Sequence, residues 1–113
     1  MFKRGEIWLA SLNPGKGSEP GKTRPVLLVQ GQALLDAEHP SILVIPLTTK
    51  LIEDAEPLRI RVIAHGHLKH DSDLLIDQLR AIDNRRITDG PLMRCDDKLM
   101  ARIYDAIADV LEM

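Results

Sequence analysis

The chain has 113 residues, 44% of them apolar and 28% charged, with a formal net charge of −2. That fits one ordinary globular domain spanning 1–113 and excludes a bulk polycation that coats nucleic acid. Phe2, Trp8 and Tyr104 are the only aromatics, which argues against a platform that reads single strands by base stacking but leaves phosphate recognition open. The one cysteine, Cys95, excludes an internal disulfide. No stretch approaches the ~20 apolar residues of a membrane span, and the start of the chain lacks the apolar run of a signal peptide. The expectation is a cytoplasmic protein without a membrane partner.

In chain order, GEIWLASL (Gly5–Leu12) reads as a first strand through β-favouring Ile7 and Trp8. NPGKGSEPGKT (Asn13–Thr23) is loop by its glycines and prolines. RPVLLVQ (Arg24–Gln30) is apolar on both faces and so reads as a central strand. A connection with room for a helical turn follows. SILVIPLTT (Ser41–Thr49) is a third strand, in which Pro46 predicts a bulge or an end of regular pairing.

PLRIRVIA (Pro57–Ala64) alternates, with Leu58, Ile60 and Val62 on one face and Arg59 and Arg61 on the other. SDLLIDQLRAID (Ser72–Asp83) reads as one strand through two apolar phases, and Asp89-Gly90-Pro91 reads as a turn. The last segment is helical: Leu99, Ile103, Ile107 and Val110 or Leu111 form one stripe, and Asp96 and Asp97 offer an N-cap and a charge suited to the helix dipole. Five or so strands followed by a helix make an α+β domain built on a strongly curved antiparallel sheet or small barrel.

Charge is distributed unevenly. Three basic residues and one acidic residue lie between Lys16 and Arg24, and four arginines and two aspartates between Arg80 and Arg94, while the helix is acidic. Proline at 25 forces Arg24 into extended backbone at the start of its strand. Alternation sets it on the face of Val26 and Leu28, at the rim of the interior. It is then either a surface arginine folded over the core edge or a forked donor for phosphate oxygens. Thr48 and Thr49 close an apolar strand, where a hydroxyl can donate to phosphate or simply suit the backbone. Asp77 interrupts an apolar strand beside Gln78 and needs a partner there, for structure or for chemistry. His65, His67 and His70 do not match a structural zinc spacing, so solvated loop histidines are expected and no metal. No nucleotide-binding or hydrolase signature is present.

Three motifs together, KRGEIWLASLNPGKGSEPGKTRPVLLVQ, IPLTT and IDQLRAID, resemble the MazF/PemK family of toxin endoribonucleases along nearly the whole chain. The resemblance implies a small SH3-like antiparallel β-barrel with a C-terminal α-helix, usually a homodimer. It implies metal-independent, sequence-selective cleavage of single-stranded RNA without a cofactor, blocked by a cognate antitoxin protein. By the same resemblance Arg24, Thr48 and Asp77 carry catalysis. Ser18, Glu19, Lys22, Gln78 and Arg80 face the RNA. Some relatives have histidine where this chain has Ser18, and some have arginine where it has Leu75, so mechanisms using those residues do not transfer. Two rival readings are a gyrase-targeting toxin of the same fold and an inactive SH3-like binding module.

Overall fold

The computed structural model describes residues 1–14, 17–18 and 22–113. β1 (Glu6–Ser11) pairs antiparallel with β2 (Thr23–Leu28), which pairs with β3 (Ser41–Thr48); a short helix α1 (Gln32–Asp36) lies between them in sequence. β4 (Arg59–Val62), β5 (Ser72–Leu75), β6 (Arg80–Asp83), β7 (Ile87–Arg94) and the helix α2 (Asp97–Leu111) complete the chain. The strand order is β4-β5-β3-β2-β1-β7, with β6 also on β3. This is the expected α+β architecture, a mostly antiparallel sheet with a C-terminal helix, with seven strands among the described residues where about five were expected.

β2 is central, as its apolar run predicts. Leu27 and Val29 enter a core shared with Ile45, Leu74 and Ile103 of α2, while Val26 and Leu28 enter a second core with Ala10, Val44 and Ile82. Burial on both faces explains why no polar alternation marks this strand.

Pro46 stays within regular pairing on one side, opposite Val26. On its other side the ladder breaks. Ser41–Val44 pair with β6, whereas Leu47 and Thr48 pair with β5. The β3–β6 register is offset from the β3–β5 register by three residues, the length of the 3₁₀ turn Ile76–Gln78. The turn loops out where Pro46 has no N–H to give. SDLLIDQLRAID is therefore two strands joined by a turn. Its two apolar phases belong to two different pairings with β3, and Asp77 does not share a strand face with Leu75 and Leu79.

Two other expectations are corrected. Leu58 precedes β4 and is exposed, while Ile60 and Val62 are buried as predicted. Asp89-Gly90-Pro91 is no turn but part of β7 at the sheet edge, where proline costs no ladder bond. The β1–β7 register shifts around Leu9. Gly90 has φ +154°, and a Cβ there would stand 2.6 Å from the Trp8 ring. Gly90→Ala is expected to destabilise the fold by about 2 kcal/mol through overpacking, read as a lower urea midpoint at unchanged slope.

The path of strands is open between β4 and β7. The link 63–71 spans that seam: the His67 N–H donates to the Leu92 carbonyl of β7 at 2.7 Å. Gly66 (φ +59°) permits the approach, since a Cβ there would lie 2.8 Å from the same oxygen.

α2 starts where predicted. Asp96 caps it, its carboxylate accepting from the Leu99 N–H at 2.8 Å. Met100, Ile103 and Ala106 are its buried residues, with Leu99, Ile107 and Val110 packed beside them and Leu111 exposed. The Tyr104 hydroxyl donates to the Val29 carbonyl at 2.7 Å, fixing the helix to the end of β2. Among the described residues no helix is long and apolar enough to cross a membrane.

Candidate active site

Arg24 is the second residue of β2 and half-buried. Its Nη1 donates to the Leu47 carbonyl on β3 at 3.3 Å, so the guanidinium lies against the end of that strand. Continuing the Val26↔Pro46 register by two residues sets Arg24 across from Thr48, and cross-strand partners present side chains on one face. Thr48 Oγ1 accepts the Lys50 N–H at 3.2 Å. That leaves the hydroxyl proton free to donate outward.

The two residues open on a cleft of about 280 Å³. Its described lining includes Lys22, Arg24 and Lys50 and no carboxylate. Three cations and the hydroxyls of Thr23, Thr48, Thr49 and Ser72 around one concave surface suit an anion, and a forked guanidinium matches phosphate oxygens best.

A neighbouring cleft is larger, about 450 Å³, and is laced by ion pairs. Asp73 on β5, with its side chain 1% exposed, accepts Arg61 Nε at 2.5 Å and lies 3.5 Å from Arg59 Nη1. Arg61 also meets Glu53 at 3.1 Å, and Arg102 meets Glu56 at 2.5 Å. The Ile52 N–H donates to Asp73 Oδ2 at 2.9 Å, and Arg59 Nη1 donates to the Lys50 carbonyl at 2.9 Å. These bonds staple the segment after Thr48 to β4 and β5. Burial pushes the Asp73 carboxyl up, but the Arg61 hydrogen bond, the Ile52 N–H and the charges of Arg61 and Arg59 outweigh it and hold it below its ordinary value.

The structure thus brings Arg24, Thr48 and Lys22 together. None of the other described candidates lines their cleft. Asp77 is exposed and Gln78 half-buried, both on the 3₁₀ turn, and neither lines it. Arg80 is half-buried on β6, paired with Val44. Ser18 is exposed and outside the lining, and Glu19 lies outside the described residues.

Sequence reasoning missed Lys50 and the Asp73 clamp. Lys50 was findable as a cation directly after the strand-end threonines. Asp73 was not, because the rule that a carboxylate in an apolar strand needs a partner was applied to Asp77, four residues on. His65, His67 and His70 are exposed, and among the described residues no three His, Cys, Asp or Glu side chains gather into a set able to hold a metal ion. Burial first, then the charge of Asp96, pushes the Cys95 thiol up to about 11, far from a thiolate nucleophile at neutral pH.

Comparison with known proteins shows the family of the chain. The profile described as PemK-like, MazF-like toxin of type II toxin-antitoxin system matches residues 3–111. The chain is 32% identical to Endoribonuclease EndoA of Bacillus subtilis over 108 residues, covering 95% of this chain and 91% of that protein. It is 31% identical to Endoribonuclease MazF of Staphylococcus saprophyticus, covering 95% and 88%. The crystal structure of MazF from Deinococcus radiodurans shares the fold with a TM-score of 0.78 at 21% identity, covering 96% of this chain and 94% of that one. With its profile matched almost end to end, the chain belongs to the family of PemK-like, MazF-like toxins of type II toxin–antitoxin systems.

Proposed function

We propose that this chain is the endoribonuclease toxin of its system, cleaving single-stranded RNA at selected sequences without a metal ion. The observation that carries the reading is the Arg24–Thr48 cleft, with three cations and no carboxylate among its described lining residues. The endoribonuclease names of the Bacillus and Staphylococcus relatives support it.

In the reaction the ribose 2′ oxygen attacks the adjacent phosphorus as its proton leaves, and the bond from phosphorus to the 5′ oxygen breaks as that oxygen gains a proton. The products are a 2′,3′-cyclic phosphate and a 5′-hydroxyl. Charge grows on the non-bridging oxygens, where Arg24 is placed to stabilise it. The Thr48 hydroxyl adds a donor that holds the phosphate in line. Lys22 and Lys50 raise the local potential for the RNA backbone. An arginine pKa above ~12 makes Arg24 a poor base, so its main contribution is electrostatic. By the family resemblance Asp77, Gln78, Arg80, Ser18 and Glu19 are assigned to contacts with the RNA, with Asp77 orienting substrate.

A cognate antitoxin is proposed to inhibit the toxin by covering this basic cleft. The solved complex of a mycobacterial endoribonuclease with its cognate antitoxin, TM-score 0.75 over 97% of this chain and 94% of that one, supports the fold's suitability for such a partner. A homodimer is proposed on family grounds.

Incubation with labelled single-stranded RNA in chelator tests the reading. Discrete fragments ending in cyclic phosphate are expected. Intact RNA together with inhibited gyrase would assign the chain to the gyrase-poison class, and intact RNA with unaffected gyrase would leave a binding module.

A further inference from the structure

Next to the Arg24–Thr48 cleft is a third concavity, of about 270 Å³, and its character is different. Leu9, Pro25, Leu68 and Leu92 line it. Leu9 and Pro25 are direct cross-strand partners, Leu68 is buried, and Leu92 belongs to β7. The pocket lies at the seam where the strand path is open and the link 63–71 crosses to β7. Its apolar wall is made by residues of β1, β2 and β7 together with Leu68 of the link.

Pro25, Thr49 and Ser72 line both this pocket and the Arg24–Thr48 cleft, so the two are continuous. Consecutive strand residues point to opposite faces. Arg24 and Pro25 therefore hand one end of β2 to both sites, a cation toward one and an apolar ring toward the other. His67, Lys69 and His70 contribute to the rim of the pocket. All three are exposed.

We propose that this pocket takes one nucleobase of the RNA, from the nucleotide next to the phosphate held by Arg24 and Thr48. The proposal rests on reading that cleft as a phosphate site. A volume of about 270 Å³ falls just below the roughly 300–1,000 Å³ of pockets that enclose drug-sized ligands, which suits one ring system and no folded segment of a protein. The apolar wall receives the faces of a base, and the imidazole nitrogens of His67 and His70 can donate to or accept from its edge. Lys69 matches the negative charge of the flanking backbone.

The aromatics are committed elsewhere. Phe2 and Trp8 pack edge to face at 4.9 Å between centroids, and Tyr104 is bonded to the Val29 carbonyl. Base recognition in this chain therefore uses enclosure by aliphatic walls in place of an aromatic platform. The sequence preference of cleavage is set in part by what fits here.

The test needs no cleavage. Methyl-labelled protein, with Arg24 side-chain signals also observed, is titrated with the four ribonucleoside 3′-monophosphates and with ribose 5-phosphate, which has no base. Every phosphate is expected to shift Arg24, and only base-bearing ligands to shift the Leu68 and Leu92 methyls. His67→Trp, which places an indole over the mouth from an exposed position, is expected to remove the leucine response and to leave the ribose phosphate response at Arg24. If nucleotides and ribose phosphate give the same pattern with silent leucines, the base pocket is overturned and the phosphate site stands. If the leucines respond while Arg24 is silent, the pocket holds a base and the reading of the Arg24 cleft is what fails. Silence at both sites overturns both.

Discussion

Arg24→Ala is expected to lower the rate of RNA cleavage by about 10³-fold or more while leaving the protein folded. Removing a single neutral donor from a site that stabilises transition-state charge costs roughly 10²–10³ in rate. Arg24 supplies a full charge and a fork of donors, and it alone of the three cations has its guanidinium laid against β3 opposite Thr48. The fold should survive because Arg24 is half-buried at a strand end, outside both hydrophobic cores. Loss of its bond to the Leu47 carbonyl should cost on the order of 1 kcal/mol. Arg24→Lys separates charge from geometry. It keeps the positive charge but loses the planar fork, so it should recover only part of the rate. Initial rates on a labelled RNA, with thermal unfolding of each variant as control, decide the matter. Near-wild-type cleavage by the alanine variant would remove Arg24 from the reaction.

The parts of this molecule that local chemistry dictates were readable from the chain. Pro25 fixes the backbone of Arg24, a doubly apolar run makes β2 central, and Asp96 caps α2, each through neighbours within a few residues. What could not be read depends on register between distant strands. Arg61 looked like the solvent face of an alternating strand, and it is so until β5 sets Asp73 directly opposite it. Asp77 looked buried because a three-residue turn is invisible inside a continuous apolar pattern. Its position follows from β3 changing partners around Pro46, which no single strand encodes. Gly90-Pro91 has the composition of a turn. That the edge of a sheet tolerates it, with Trp8 closing over the glycine, is a fact about the neighbour.

Asp73→Asn is expected to destabilise the fold by about 2–3 kcal/mol at neutral pH. Breaking a buried ion pair by removing one partner typically costs about 3–5 kcal/mol; here the arginine side chains are 22% and 26% exposed, so water screens part of the loss. Asparagine keeps the shape and its amide oxygen can still accept the Ile52 N–H, but its NH2 then faces the Arg61 Nε–H, so the change removes the charge and the Arg61 hydrogen bond together. The pH dependence follows from the lowered carboxyl. A group whose folded value lies below its unfolded value of 3.8 contributes its full stability above that pH and loses it as pH falls through the folded value. Urea midpoints of wild type and variant should therefore differ by a constant amount from pH 7 down to about 5 and converge in strong acid. Asp83 provides the control. The Arg85 side-chain hydrogen bonds, then the Arg85 N–H, hold its carboxyl down at about 2, yet Arg85 is 87% exposed and the pair stands in solvent. Asp83→Asn should change the midpoint little, since exposed pairs contribute little. Because Asp73 also fixes the Lys50–Ile52 segment, Asp73→Asn should loosen the wall of the Arg24–Thr48 cleft and reduce cleavage at temperatures where the variant is still folded. Equal midpoints for the Asp73 and Asp83 variants would show that the clamp holds nothing in place.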